Sequence, residues 1–208
     1  MNFRDFLQNI NLLKSKPLGG LKAQFKLAPE LRLRYDAKKI EANNPKKAAV
    51  LALFYPNEFG ETTFLLTQRA SYKGTHSAQI SFPGGKIEEQ DSSLFGTAVR
   101  EANEEVGIAP ETVTKIREIT DVYIPPSNFL ATPFIAYTES KPTFVLNEEV
   151  ASTIEVKVSD LLDDSNVDTV LMNTSYMKQI KVPCFRLHDH IVWGATGMML
   201  SEIKEMLK

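Results

Sequence analysis

Residues 92–106 carry the strongest helical pattern in this 208-residue chain, and that pattern restricts the folds open to the rest. At about 100° per residue, Phe95, Ala98, Val99, Ala102 and Val106 share one arc, the apolar stripe of a helix that covers a core. Ser92 or Asp91 can cap its start, and Gly107 suits the position just past its end. Glu101, Glu104 and Glu105 fall on a second arc, with Arg100 beside it and one turn from Glu104. A helix with a single apolar stripe needs another layer to bury it against.

The flanking segments supply that layer. Strands are predicted over 48–55, 62–68, 78–82, 116–123, 132–137 and 153–158, each rich in β-branched, aromatic or aliphatic residues. Pro56-Asn57 and Gly60 predict a hairpin between the first two, and Pro83-Gly84-Gly85 is expected to end the third. Phe3, Phe6, Leu7, Ile10 and Leu13 predict one helix over 3–13, stopped by Pro17 and Gly19-Gly20. Residues 21–45 are mixed and polar and read as irregular, ending in an Asn43-Asn44-Pro45 turn. A short helical piece over 159–162, a hairpin from 178–187 and 190–193, and a helix over 196–207 complete the pattern. The expected class is α/β (α+β), with helices on a mixed sheet. The chain reads as one domain over 1–208, with an N-terminal helical lead-in of about residues 1–45.

Composition excludes several classes. With 24 basic and 26 acidic side chains the formal net charge is −2, which argues against a nucleic-acid protein with a broad basic surface. Cys184 is the only cysteine, so no disulfide forms within the chain. No apolar run approaches the roughly 20 residues of a membrane helix, and the first residues lack the apolar block of a secretion signal. A cytoplasmic protein without a membrane partner is expected.

The charge on the helix calls for a chemical explanation. Arg100 and Glu104 could form only a surface pair worth a few tenths of a kcal/mol, and a solvated face is the plain alternative. However, three carboxylates on one face repel one another, and two lie near the helix C-terminus, where the helix dipole disfavours negative charge. A divalent cation offsets both effects, and magnesium takes carboxylates together with substrate phosphates. Pro83-Gly84-Gly85 would let a backbone carbonyl or amide approach a metal or phosphate without a Cβ in the way. Glu88, Glu89 and Asp91 form a looser group, read as solvated spacer.

These residues resemble the Nudix box: Gly, five residues, an acid, seven residues, then Arg-Glu-apolar-x-Glu-Glu-x-Gly-apolar. Gly85 begins it, Asp91 is the acid, and Arg100-Glu101-Ala102-Asn103-Glu104-Glu105-Val106-Gly107-Ile108 completes it. Asp91 replaces the usual Glu, and eight residues separate it from Arg100. That spacing resembles the coenzyme A pyrophosphatase subgroup, whose upstream motif has the form LLTxRxxxxxxHxGxxxFPGG. Here the chain reads LLTQRASYKGTHSAQISFPGG over 65–85, with Ala78 where the motif has Gly and Gly74 where a basic or bulky residue is common.

The resemblance implies a Nudix-type α/β/α sandwich and a metal-dependent hydrolase of nucleoside diphosphate derivatives. It implies cleavage of coenzyme A or acyl-CoA to 3′,5′-ADP and 4′-phosphopantetheine or its acyl form. Other Nudix substrates, ADP-ribose or a dinucleotide, are the alternative, and a non-catalytic nucleotide-binding module is a third reading. Glu101 and Glu105 would be the principal Mg2+ or Mn2+ ligands, with Glu104 a further ligand or the base and the Gly85 carbonyl an additional ligand. Arg100 would orient a carboxylate, and Glu148 or Glu149 are lesser candidates for the base. Arg69, Lys73 and His76 would meet the substrate, together with Phe82 and Gly84. His188-Asp189-His190 reads as a hairpin turn rather than a metal triplet, Cys184 as a buried hydrophobe, and Trp193 as a core residue or the start of a helix. Oligomeric state is open, a homodimer included.

Overall fold

An uncharged run of alanine, valine, leucine and aromatic residues over 48–55 forms the middle of β1 (Lys46–Pro56), the strand around which the main sheet is built. Alternate side chains of a strand point to opposite faces. Ala48, Ala52 and Phe54 accordingly enter one apolar core, and Ala49, Leu51, Leu53 and Tyr55 enter another. A central strand buried on both faces requires cover on both sides. The computed structural model, which describes residues 1–70, 79–172 and 179–208, shows that cover as helical layers.

The lead-in contributes α1 (Phe3–Gln8), α2 (Ile10–Ser15), α3 (Gly20–Gln24), α4 (Glu30–Leu33) and α5 (Ala37–Ala42). The strands that follow β1 are β2 (Thr62–Arg69), β3 (Ile80–Ser81) and β4 (Gly84–Lys86), then α6 (Leu94–Val106). Next come β5 (Thr114–Glu118), β6 (Val122–Ile124), β7 (Phe129–Tyr137), β8 (Val150–Lys157) and α7 (Val158–Leu162). A smaller antiparallel sheet of β9 (Val167–Met172), β10 (Ile180–Leu187) and β11 (His190–Trp193) precedes α8 (Gly194–Leu207). In the main sheet β1 runs parallel to β7, and β5 and β6 both pair with β7. Helix α6 packs on the Leu51 and Leu53 face, whereas α1, α2 and α8 close the Phe54 face. The α/β/α arrangement on a mixed sheet agrees with the expected class.

The free edge of β1 is shared. Its C-terminal end (Phe54 to Pro56) pairs with β2, and its N-terminal part (Ala48 to Val50) pairs with β4. Beyond that point the same edge of β2 pairs with β3, while β8 runs along the opposite edge of β2 from Thr63 to Arg69. The two central strands therefore part, and β4 fills the opening beside β1. β3 does stop short of Pro83-Gly84-Gly85, as expected, but the two glycines then open a further strand instead of remaining in a loop. Gly84 has φ +153, and a Cβ there would stand 2.3 Å from the Ala49 carbonyl oxygen. Only glycine allows so close an approach.

Other departures have local causes. The helix expected over 3–13 is broken at Asn9, whose side-chain amide donates to the Asp5 carbonyl at 2.8 Å and competes with the helical pattern. Residues 21–45, expected to be irregular, form short helices held by distant partners. Glu202, fully buried on α8, accepts from the Gly20 amide at 3.0 Å and from Gln24 at 2.9 Å. Asp36 caps α5 by accepting from the Lys39 amide. The strand expected over 116–123 is interrupted between β5 and β6, where Thr120 donates to Glu202 at 2.7 Å and Asp121 accepts from Thr132 at 2.6 Å. Strand β9 has no strong signature, because its VDTVLM sequence stays at least partly exposed along its length. His188 sits in the β10–β11 turn at φ +54, and Cys184 is buried. Trp193 immediately precedes α8.

Candidate active site

Helix α6 is fixed at both ends. Ser93, rather than Ser92 or Asp91, caps it by accepting from the Gly96 amide at 3.0 Å, and Gly107 ends it in the left-handed region at φ +73. Ala98, Ala102 and Val106 bury the inner face. This seating orients the charged side chains one turn apart. Arg100 donates from Nε to Asp91 Oδ1 at 2.9 Å and from Nη2 to Asp91 Oδ2 at 3.1 Å. The same guanidinium reaches Glu101 at 3.1 Å, Glu104 at 3.0 Å and the Lys86 carbonyl at 3.2 Å. Asp91 is thus no solvated spacer. Its side chain is only 4% exposed, and it also accepts from the Glu88 amide and the Thr97 hydroxyl. Arg100 and these donors hold its carboxyl well below the usual range.

The three glutamates differ in setting. Glu104 points outward and is 55% exposed, Glu101 is 17% exposed, and Glu105 is 8% exposed. Burial raises the Glu101 carboxyl despite Arg100. Burial also pushes Glu105 up to about 7, opposed by the Gly84 amide, which donates to it at 3.1 Å, and by Arg69 at 4.0 Å. Nearby Glu101 and Glu149 push it further up. A buried carboxyl raised in this way favours an added cation.

The donor set suits a hard divalent cation, because every donor is an oxygen. Gly85 faces Glu101 so closely that a Cβ would stand 2.4 Å from Glu101 Oε1, so the residue leaves open a cradle that any other side chain would fill. Glu101, Glu105, Glu104 and the Gly85 carbonyl could hold such an ion. Among the described residues no three His, Cys, Asp or Glu side chains already converge on one point. The hydrogen bonds explain why: Arg100 draws Glu101 and Glu104 to itself, and the Gly84 amide holds Glu105.

A cleft of about 390 Å³ opens beside these groups, with Gly84, Gly85, Arg69 and Phe82 in its lining. That volume lies within the range of small-molecule sites. Arg69 donates to Glu149 at 2.8 Å, which ties Glu149 to the cleft and leaves Glu148 exposed in the chain beside it. Phe82 is 2% exposed and packs against Phe64, so it forms a wall rather than a free stacking surface. Lys73 and His76 lie outside the described residues. The weight of Asp91 was missed in the sequence, although its spacing to Arg100 was visible. Arg32 and Tyr123, which also line the cleft, carry no sequence signal of a site. Among the described residues no helix is long and apolar enough to cross a membrane.

The NUDIX domain family matches residues 45–171. A protein of Photorhabdus laumondii named uncharacterized Nudix hydrolase NudL is 27% identical over 180 residues, which cover 86% of this chain and 94% of the relative. A protein of the same name from an Enterobacter species is 33% identical over 167 residues, 77% of this chain and 82% of the relative. The crystal structure of a MutT/nudix family protein from Enterococcus faecalis shares the fold at a TM-score of 0.53 and 11% identity, covering 84% of this chain and 70% of that one.

Proposed function

This chain belongs to the Nudix hydrolases, pyrophosphohydrolases that generally use divalent metal ions, and from that premise we propose that it cleaves the diphosphate of coenzyme A or an acyl-CoA. The products are 3′,5′-ADP and 4′-phosphopantetheine or its acyl form. One observation carries the substrate reading. Arg69, from the LLTQR segment, and Gly84-Gly85, from FPGG, line one cleft, and Arg69 also reaches the box glutamate Glu105. The extra residue between Asp91 and Arg100 supports the same subgroup.

Glu101 and Glu105 would be the principal ligands of Mg2+ or Mn2+, with the Gly85 carbonyl an additional ligand and Glu104 left to act as the base. Such an ion, held there, would supply positive charge against the diphosphate and make the attacking water easier to deprotonate. The chain's own residues do the rest. Asp91 anchors Arg100, and Arg100 in turn orients Glu101 and Glu104 through charge-assisted hydrogen bonds. Arg69 meets a phosphate oxygen of the substrate, beside the Gly84 backbone. The oxygen of a water forms a bond to phosphorus as the bridging P–O bond breaks, and Glu104 takes the water's proton. Glu149, held by Arg69, is the lesser candidate for that role.

The test is incubation with coenzyme A, ADP-ribose and a dinucleotide in turn, with Mg2+ or Mn2+, and products identified by mass spectrometry. Release of 3′,5′-ADP from coenzyme A supports the reading. Turnover of ADP-ribose or the dinucleotide with coenzyme A left intact overturns the substrate and keeps the class.

A further inference from the structure

The cleft has a second cationic point, remote in sequence from the carboxylate helix. Arg32, on α4, is 4% exposed and lines the same cleft as Gly84, Gly85 and Arg69. Its guanidinium carbon stands 5.3 Å from the Phe25 ring centre and 6.0 Å from that of Tyr123. One donor is used, from Nη1 to the Tyr35 carbonyl at 2.8 Å, while the buried Nε has no hydrogen-bond partner. Among the described residues no carboxylate pairs with it, and residues 71–78 and 173–178 contain no Asp or Glu.

A buried charge without a counterion is costly, and such charges are normally paired. The contacts with Phe25 and Tyr123 offset part of that cost. Burial draws the Arg32 pKa down, in keeping with a cation that has lost water and gained no anion. Arg69, the other cleft arginine, also has a buried Nε without a hydrogen-bond partner, but its charge is paired with Glu149 at 2.8 Å and Glu105 at 4.0 Å, whereas that of Arg32 is not. The two arginines therefore divide the cleft. Arg69 adjoins the carboxylates, and Arg32 belongs to the lead-in and the β6 side, where Tyr123, Ile124 and Phe129 supply apolar wall.

We propose that Arg32 is the recognition site for a second anionic group of the substrate, a phosphate monoester distinct from the diphosphate that is cleaved. A planar guanidinium with free donors suits a phosphate monoester, which can take two of its N–H groups together. The inference rests on the coenzyme A reading, in which the 3′-phosphate is that group. It makes Arg32 a specificity residue and assigns the lead-in a role in binding. A substrate without the monoester leaves Arg32 buried and unpaired, so discrimination comes from that penalty as well as from the lost contact.

The experiment compares kcat/KM for coenzyme A and for dephospho-coenzyme A, which lacks the 3′-phosphate, in the wild type, Arg32→Gln and Arg32→Lys. Inhibition by 3′,5′-ADP and by AMP is measured alongside. The wild type is expected to favour coenzyme A by about 10–100-fold, the range of a hydrogen-bonded charged contact. Arg32→Gln brings the ratio close to one by lowering the coenzyme A value, and Arg32→Lys restores part of it. A merely structural arginine would lower both substrates together and leave the ratio unchanged. The wild-type ratio and the preference for 3′,5′-ADP over AMP do not depend on how a variant folds. Brisk coenzyme A turnover with no such preference overturns the role of Arg32 alone. Turnover of neither compound, with ADP-ribose cleaved, overturns the coenzyme A reading and this assignment together.

Discussion

Arg100 grips Asp91 through two hydrogen bonds, Nε to Oδ1 at 2.9 Å and Nη2 to Oδ2 at 3.1 Å, and so ties the loop after β4 to the helix that bears the glutamates. The carboxyl is nearly buried, and Arg100 holds it well below the ordinary range. A depressed folded-state pKa contributes stability above the unfolded value, and that contribution is lost as pH falls through the folded one. Asp91→Asn should therefore destabilise the protein by about 1.5–3 kcal/mol near neutrality. The gap from wild type should narrow as pH drops below about 4. Thermal melts across pH check this, and an equal gap at all pH values would contradict it.

The two glycines of β4 should separate fold from chemistry. At Gly85 the three atoms nearest a new Cβ all belong to the Glu101 carboxyl, the far end of a flexible side chain. Gly85→Ala is expected to keep the melting temperature near that of wild type and to lower turnover at least about tenfold, because Glu101 is displaced. At Gly84 the Cβ meets the β1 backbone, at 2.3 Å from the Ala49 oxygen, and φ is +153. Gly84→Ala should cost about 1–3 kcal/mol or more. Melting curves and turnover measured side by side distinguish the two outcomes.

Burial of Glu105 makes a prediction about the metal-free protein. Its carboxyl is pushed up to about 7. A carboxyl raised on folding favours the folded state below the unfolded pKa, and that advantage is lost as pH rises through the folded value. Glu105→Gln should therefore raise the melting temperature in EDTA at about pH 8, since it removes a buried charge. In the wild type, Mn2+ must displace the proton below about pH 7, so its affinity should fall with pH there. Calorimetry in buffers of different ionisation enthalpy should show proton release, and Glu105→Gln should show less of it.

Phe6 reports on the opposite layer. It is fully buried and stacks on Phe54 with ring centres 5.1 Å apart. Phe6→Ala should destabilise by about 3–5 kcal/mol. Denaturant unfolding checks the size, and a loss under about 1 kcal/mol would mean that α1 is not part of the core.

The parts visible in the sequence were those where several local signals agreed. In α6 the apolar stripe, a capping serine within one residue and Gly107 point the same way, and in β1 an unbroken apolar run leaves little alternative. What escaped depends on distant partners. Helix α3 is held through Gln24 to Glu202, 178 residues away, which no local pattern announces. Asp91 looked like one of several loop acids, because its burial is created by Arg100 and Thr97 only after α6 has seated. Arg32 has no sequence signal for the opposite reason: what sets it apart is that, among the described residues, no carboxylate pairs with its buried charge.

The central claim is that the α6 carboxylates drive hydrolysis of the coenzyme A diphosphate. The most direct measurement follows 3′,5′-ADP release from coenzyme A with Mn2+, in wild type and in Glu105→Gln shown by circular dichroism to be folded. The account predicts steady release by the wild type and none by the variant. Undiminished release by a folded Glu105→Gln, or no 3′,5′-ADP from the wild type, would contradict it.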